Sequence, residues 1–167
     1  EKLQAVLDRK GEVETLANIF YSRNDIFFIG RGLDSCVSYE GSLKLKEVSY
    51  INSLAITAGE LKHGTIALVE DDTLIFALAS QDFLFEKMLS NIEEVKTRGA
   101  RVVGIAKKSQ NAIQSKADEV IFIPDCADEI TPLLTVVPLQ LFAYYVAKRR
   151  GTNVDKPKNL AKSVTVE

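Results

Sequence analysis

The sequence predicts an α/β fold: a doubly wound, five-stranded parallel sheet flanked by helices, of flavodoxin-like type, followed by an extended C-terminal tail. Three observations predict it. Five short runs rich in β-branched and aromatic residues are separated by longer segments with helical apolar spacing. Those runs are apolar throughout rather than alternating, as strands covered on both faces are. The 167 residues are 46% hydrophobic and 26% charged, an ordinary globular balance with enough chain for one core. Residues 1–150 are expected to form the domain and 151–167 the tail.

Leu3, Val6, Leu7, Val13, Leu16, Ala17 and Phe20 mark a first helix over 2–21, weakest at Gly11. Asp25–Ile29 reads as a buried strand ended by Gly30-Arg31-Gly32, a tight turn into a helix that Asp34 or Ser35 caps and that runs to about Tyr50. A short strand at Leu54–Thr57 leads to a compact Gly59–His63 turn or helix. Thr73–Ala79 is the clearest core strand, and Phe83–Arg98 a helix stopped by Gly99. Arg101–Ala106 and Glu119–Ile123 complete the strands, joined by a polar connection with one short helix. A long apolar helix runs from Pro132 to Arg150, its last three cations facing its C-terminal dipole. Pro138 inside it implies a kink or a later start. Sheets of this kind take ligands beyond the carboxyl ends of their strands, where strand order reverses.

Charge and composition remove several classes of function. A net charge of −2 gives no basic footprint for nucleic acid. One histidine and two distant cysteines, Cys36 and Cys126, do not make a zinc cluster and fit a reducing, cytoplasmic setting. No run reaches the roughly 18 apolar residues of a membrane span, and no signal peptide opens the chain.

Three features carry candidate chemistry. Glu40, Lys44 and Glu47 are spaced i, i+4, i+7 and share a sector of about 60° on the second helix. Val37 and Val48 flank that sector on one side and Leu43 on the other, while Ser38, Ser42 and Ser49 occupy the opposite face. The charged row therefore sits amid the apolar face. It is either a solvated ion-pair ladder or a mutually compensating cluster lining a cleft, able to shift pKa values for proton transfer. His63, the single histidine, is either incidental or a general acid–base, its free pKa near 6.5 suiting it to proton transfer at neutral pH. Lys162 lies in a polar terminus that composition alone reads as frayed, and a nucleophilic role there requires burial or a nearby cation.

The segments Glu40-Gly-Ser-Leu-Lys-Leu-Lys-Glu47, Gly59-Glu-Leu-Lys-His-Gly64 and Asn159-Leu-Ala-Lys-Ser-Val-Thr-Val-Glu167 together closely resemble the C-terminal end of the glutamine–fructose-6-phosphate aminotransferases (isomerizing), the glucosamine-6-phosphate synthases. The resemblance runs from about Asp25 onward, and the opening Glu1 agrees with the end of a longer enzyme. It implies the second sugar isomerase (SIS) domain of the isomerase region. The activity implied is conversion of fructose 6-phosphate and glutamine into glucosamine 6-phosphate and glutamate. Glu47 would carry the proton between sugar carbons 1 and 2, and Lys44 would assist ring opening or balance charge. Glu40 matches a family position too and would belong to the substrate-binding residues. His63 would open the ring, reaching a neighbouring subunit's site. Lys162 would form an imine with the keto carbon, with the Ala161 backbone against the sugar. The tail is expected to lie ordered against the ligand edge of the sheet, its amine near the helix carboxylate.

No metal, flavin or nicotinamide is implied, because the chemistry is proton transfer and imine exchange. The implied partners are the sugar phosphate, the first SIS domain and the glutaminase domain of the same enzyme, and a second subunit, with neither nucleic acid nor membrane. Two departures stand out. Thr65 follows His63–Gly64 where many members have proline, and Ser80-Gln-Asp82 replaces the SxSGxT phosphate loop of sugar-phosphate-binding SIS domains. The phosphate subsite is therefore expected from the preceding domain. A fragment of this extent is expected to be inactive by itself. The alternative is a non-catalytic sugar-phosphate-binding SIS module with a regulatory role, which would have no reason to keep a glutamate base, a histidine and a tail lysine together.

Overall fold

The computed structural model describes residues 1–158. Its centre is a five-stranded, all-parallel sheet in the order β2-β1-β3-β4-β5, formed by Asp25–Gly30 (β1), Asn52–Thr57 (β2), Leu74–Leu78 (β3), Arg101–Lys107 (β4) and Glu119–Ile123 (β5). The order reverses between β1 and β3, as the flavodoxin-like reading requires. Register places Asp25 beside Asn52 and Gly30 beside Thr57, so β1 and β2 start and finish together.

Side chains alternate between two apolar layers, as the pleat dictates. Ile26 and Phe28 of β1 face one core, with Phe76 of β3 and Phe142. Phe28 stacks on Phe76 at 5.2 Å, and Phe76 packs against Phe142 at 4.6 Å. Helices α2 (Lys10–Phe20), α3 (Leu33–Ser49) and α5 (Thr131–Arg150) cover this face. Phe27, Ile29, Ile75 and Ala77 face the other core, covered by α4 (Phe85–Lys96) and the 3₁₀ turn Ala58–His63.

The first helix is two. Helix α1 (Lys2–Leu7) and α2 are broken at Asp8–Arg9 rather than at Gly11, which lies inside α2. Arg9 leaves the helix to donate to the Phe122 carbonyl at 2.7 Å while pairing with Glu12, and this long-range tie outweighs continuous helix. Helix α5 passes through Pro138, which is buried in the core. An 18-residue window within Asp128–Arg150 reaches a mean hydropathy of 1.6, long and apolar enough by length and composition to cross a membrane, which corrects the reading that no run approaches that length. Half of it is buried in this domain, where α5 packs on α2 and α3.

Helix α3 inverts the expected faces. Ser38, Ser42 and Ser49 are buried, and Ser42 and Ser53 of β2 exchange hydrogen bonds at 3.0 and 2.7 Å. Small residues let the helix lie close to its neighbours: a Cβ on Gly41 would sit 2.5 Å from Leu139 Cδ1 of α5. The hydroxyls satisfy themselves on backbone carbonyls, as Ser38 does on Asp34 and Ser49 on Leu45. The charged row therefore rides on the outer flank, not amid the packed face.

Candidate functional site

Helix α3 runs back across the sheet from the carboxyl end of β1 to the amino end of β2. Seventeen residues at 1.5 Å each span about 25 Å, the full depth of the sheet. Glu47 lies five positions before Asn52, which pairs with Asp25 at the start of β1. Glu47 is thus at the amino edge of the sheet, with Lys44 a turn above it and Glu40 near mid-helix. Lys44 Nζ donates to Glu47 Oε2 at 2.6 Å and stands 3.9 Å from Glu40 Oε1. All three side chains are between a quarter and two-fifths exposed, so the row is half-covered rather than solvated or sealed. The hydrogen bond to Glu47 holds the Lys44 ammonium above its ordinary pKa, against the smaller opposing effect of burial.

The chain after α5 returns to this end of α3. Gly151 turns the chain in the left-handed region at φ 71. Thr152 Oγ1 then donates to the Val48 carbonyl at 2.6 Å and to that of Ala147 at 3.0 Å. Asn153 Oδ1 accepts from the amides of Asp155 and Lys156, closing a turn. The Lys158 amide donates to the Tyr50 hydroxyl at 2.8 Å, and its ammonium sits 4.3 Å from the centre of the Tyr50 ring. Tyr50 itself ends α3 in the left-handed region at φ 61. Tyr50 and Thr152 were not singled out from the sequence; an aromatic just beyond a helix end was the available signal. Lys162 and Ala161 lie outside the described residues.

His63 is elsewhere. It ends the 3₁₀ turn that follows β2, six positions after Thr57 at the carboxyl edge, so it stands at the opposite edge of the sheet from Glu47. Its ring is 73% exposed, and its nearest carboxylate is Glu60 at 3.9 Å. The chain by itself brings Lys44, Glu47 and Glu40 together and leaves His63 apart. Because the helix carboxylate lies at the amino edge, the expectation that it adjoins the carboxyl ends of the strands is corrected.

The carboxyl edge has its own polar network, which sequence reasoning missed. Asp34, read as a helix cap, makes no capping bond. It is 1% exposed and accepts from the Ser80 amide at 2.7 Å and the Ser80 hydroxyl at 2.6 Å. Burial pushes its carboxyl up from 3.8 to about 6, against the lowering effect of the Ser80 hydrogen bonds. Gln81 Oε1 accepts from the Leu33 amide at the start of α3. Lys107, 2% exposed, is clamped between Asp128 at 2.6 Å and Asp82 at 3.0 Å. Burial opposes its charge, but the two carboxylates outweigh burial and hold its pKa above the usual value. The amide and hydroxyl of Ser80 and the amide of Asp82 are engaged within the domain, on Asp34 and Asp128. Gly30 and Gly32 serve the tight turn: a Cβ on Gly30 would meet the Asp34 backbone at 2.5 Å, and Gly32 takes φ 55 beside Gln81. Among the described residues no group of three or more His, Cys, Asp or Glu is placed to hold a metal ion.

Comparison with known proteins agrees with this architecture. Residues 19–148 match the SIS domain family model. The chain is 61% identical over 167 residues to a protein named glutamine–fructose-6-phosphate aminotransferase (isomerizing) from Caldanaerobacter subterraneus subsp. tengcongensis, and 51% identical to its namesake from Clostridium acetobutylicum. Each match covers the whole chain and 28% of the relative, so the chain spans under a third of the length of these curated relatives. A solved C-terminal domain of glucosamine-fructose-6-phosphate aminotransferase from Francisella tularensis superposes with TM-score 0.86 at 36% identity, covering 93% of this chain and 44% of that one.

Proposed function

The chain belongs to the SIS domain family, and from that premise we propose that it is the second SIS domain, with its terminal tail, of a glucosamine-6-phosphate synthase. Residues 1–150 form the domain and 151–167 the tail. The whole enzyme converts fructose 6-phosphate and glutamine into glucosamine 6-phosphate and glutamate, with the glutaminase and first SIS domains on the same polypeptide. The free thiols of Cys36 and Cys126 suit a reducing cytoplasm.

In this reading His63 moves a proton between the anomeric hydroxyl and the ring oxygen, opening the sugar in the site of a neighbouring subunit. The Lys162 amine then attacks the keto carbon with loss of water, forming an imine, and ammonia displaces the lysine. Glu47 takes the proton from carbon 1 and returns it to carbon 2, giving the amino aldose. Lys44 balances the charge of Glu47, Glu40 stands at the outer end of the row, and the Ala161 backbone lies against the sugar. The separation of His63 from Glu47 across the sheet fits a site shared between two subunits, hence a homodimer. The engagement of the Ser80 donors and the Asp82 amide within the domain fits a phosphate held by the first SIS domain.

The observation that carries the reading is the anchoring of residues 152–158 on the end of α3 that bears Glu47. Lys162 follows Lys158 by four Cα-to-Cα steps, which span at most about 14 Å. The anchor thus brings the start of the tail within reach of the charged row. Borohydride reduction of the full-length enzyme with fructose 6-phosphate is expected to label Lys162 with a hexitol phosphate, read by peptide mass. An unlabelled Lys162 under turnover conditions would overturn the imine role.

A further inference from the structure

Strand order reverses between β1 and β3, but the crevice there is filled. Gln81 Oε1 would lie 2.5 Å from a Cβ on Gly32, and Leu84 Cδ1 2.9 Å. Immediately beside it, on the α4 face, an open groove of about 620 Å³ separates the 3₁₀ turn Ala58–His63 from α4. Arg31, from the turn after β1, extends into this groove.

Arg31 is held in place. Its Nε donates to Oδ1 of Asn91, itself 7% exposed, at 2.9 Å. The guanidinium also lies over Gly59: Nη1, Cζ and Nη2 are 3.3, 3.5 and 3.5 Å from where a Cβ would stand. A Cβ at 59 would press on Nη1, which would have to give by a few tenths of an ångström. These two contacts fix the plane and leave the Nη1 and Nη2 edge of the fork without a partner among the described residues, with no carboxylate within 4 Å. The other charges of the groove sort themselves. Lys62 pairs with Glu94 at 3.5 Å and Lys116 pairs with Glu93, which leaves Lys87, its ammonium 5.8 Å from the centre of the Phe83 ring, as the second cation without a carboxylate partner among the described residues. A pre-oriented guanidinium fork presents two parallel donors to an oxyanion, and two uncompensated positive charges match a dianion better than a monoanion.

We propose that the groove between the 3₁₀ turn Ala58–His63 and α4 binds a phosphate monoester dianion, with the Arg31 fork as its main contact and Lys87 as the second cation. The site uses neither the α3 row nor the tail, although the turn that forms one of its walls also carries His63. Calorimetric titration of the 167-residue chain with inorganic phosphate and with fructose 6-phosphate, in chloride buffer, tests it. One saturable site is expected for both, tighter for the ester if the sugar also contacts the groove. Arg31→Gln should weaken phosphate binding at least tenfold and Lys87→Gln severalfold. The exposed position of Lys87 keeps that second variant folded and decisive should Arg31→Gln unfold. Binding equal to wild type in Lys87→Gln and Arg31→Gln, or no saturable isotherm in the wild-type chain, would overturn the proposal. Loss of phosphate binding with Lys162 labelling intact, or the reverse, separates this site from the catalytic reading.

Discussion

The two edges of the sheet are built in opposite ways. At the carboxyl edge, polar groups are buried and closed on one another: Asp34 on Ser80, and Lys107 between Asp82 and Asp128. At the amino edge, Glu47, Lys44 and Glu40 form a half-exposed row on which the chain beyond α5 is anchored. Open α/β sheets ordinarily take ligands at the first of these. Here the buried groups of that edge, Asp34, Ser80 and Lys107, hold the domain together, and the half-exposed row of α3 lies at the second. A charged network that is fully satisfied rigidifies a fold, whereas one left partly open is available for proton transfer. Substitutions at the two edges should therefore separate turnover from stability.

Glu47→Gln in the full-length enzyme should have the largest effect. If Glu47 is the proton carrier, kcat for glucosamine 6-phosphate formation should fall by roughly 10²–10⁴-fold, the ordinary worth of a general base. The melting temperature should scarcely change. A kcat within a few-fold of wild type would remove the amino edge from the chemistry.

Lys107→Met makes the converse test. It leaves Asp82 and Asp128 facing each other without their cation, and the loss of one partner from a buried ion cluster costs about 3–5 kcal/mol. Asp82 is largely exposed and can turn to water, so roughly 2–3 kcal/mol is expected from urea denaturation. Turnover at permissive temperature should remain near wild type. Were kcat to collapse while stability held, the carboxyl edge would be a site rather than a clasp.

Much of this was legible in the sequence and some was not. The five strands, their parallel arrangement and the stop after α4 at Gly99 follow from apolar runs and glycine chemistry, which are local. The spacing of Glu40, Lys44 and Glu47 put them on one face, and they are on one face. Which way that face points was not local. Apolar bulk usually marks the buried side of a helix, but α3 buries serines because only small residues allow its close approach to β2 and α5. Asp34 failed in the same way: a cap and a buried carboxylate have the same residue type at the same position, and only Ser80, 46 residues away, distinguishes them. Arg9 broke the first helix through a carbonyl 113 residues distant.

The pH dependence of folding sharpens the contrast further. The folded-state pKa of Asp34, about 6, lies above its value of 3.8 in the unfolded chain. Between those values the folded state holds more protons than the unfolded one, so Asp34 lowers stability as pH rises from about 4 to 6, and the penalty persists above 6. Two pKa units correspond to roughly 3 kcal/mol at most. Asp34→Asn keeps a group able to bond Ser80 and removes the ionisation. The denaturation free energy of this variant relative to wild type should therefore improve by up to that amount on going from pH 4 to pH 7. A difference flat with pH would mean that Asp34 does not titrate in this range.

The smallest effect belongs to the row itself. Lys44 and Glu47 are in hydrogen-bonding contact, yet they are 34% and 26% exposed, and such pairs contribute about 0.3–0.5 kcal/mol between neighbouring turns of a helix. Lys44→Met should cost no more than that in urea denaturation, and the difference should shrink in 1 M salt, where the Debye length is about 3 Å. Its effect on turnover should be larger than its effect on folding, because it removes the ammonium that Glu47 is hydrogen-bonded to at 2.6 Å. An unchanged kcat combined with a stability loss above about 1 kcal/mol would reverse the assignment, making the row a strut and returning the search for the proton carrier to the carboxyl edge.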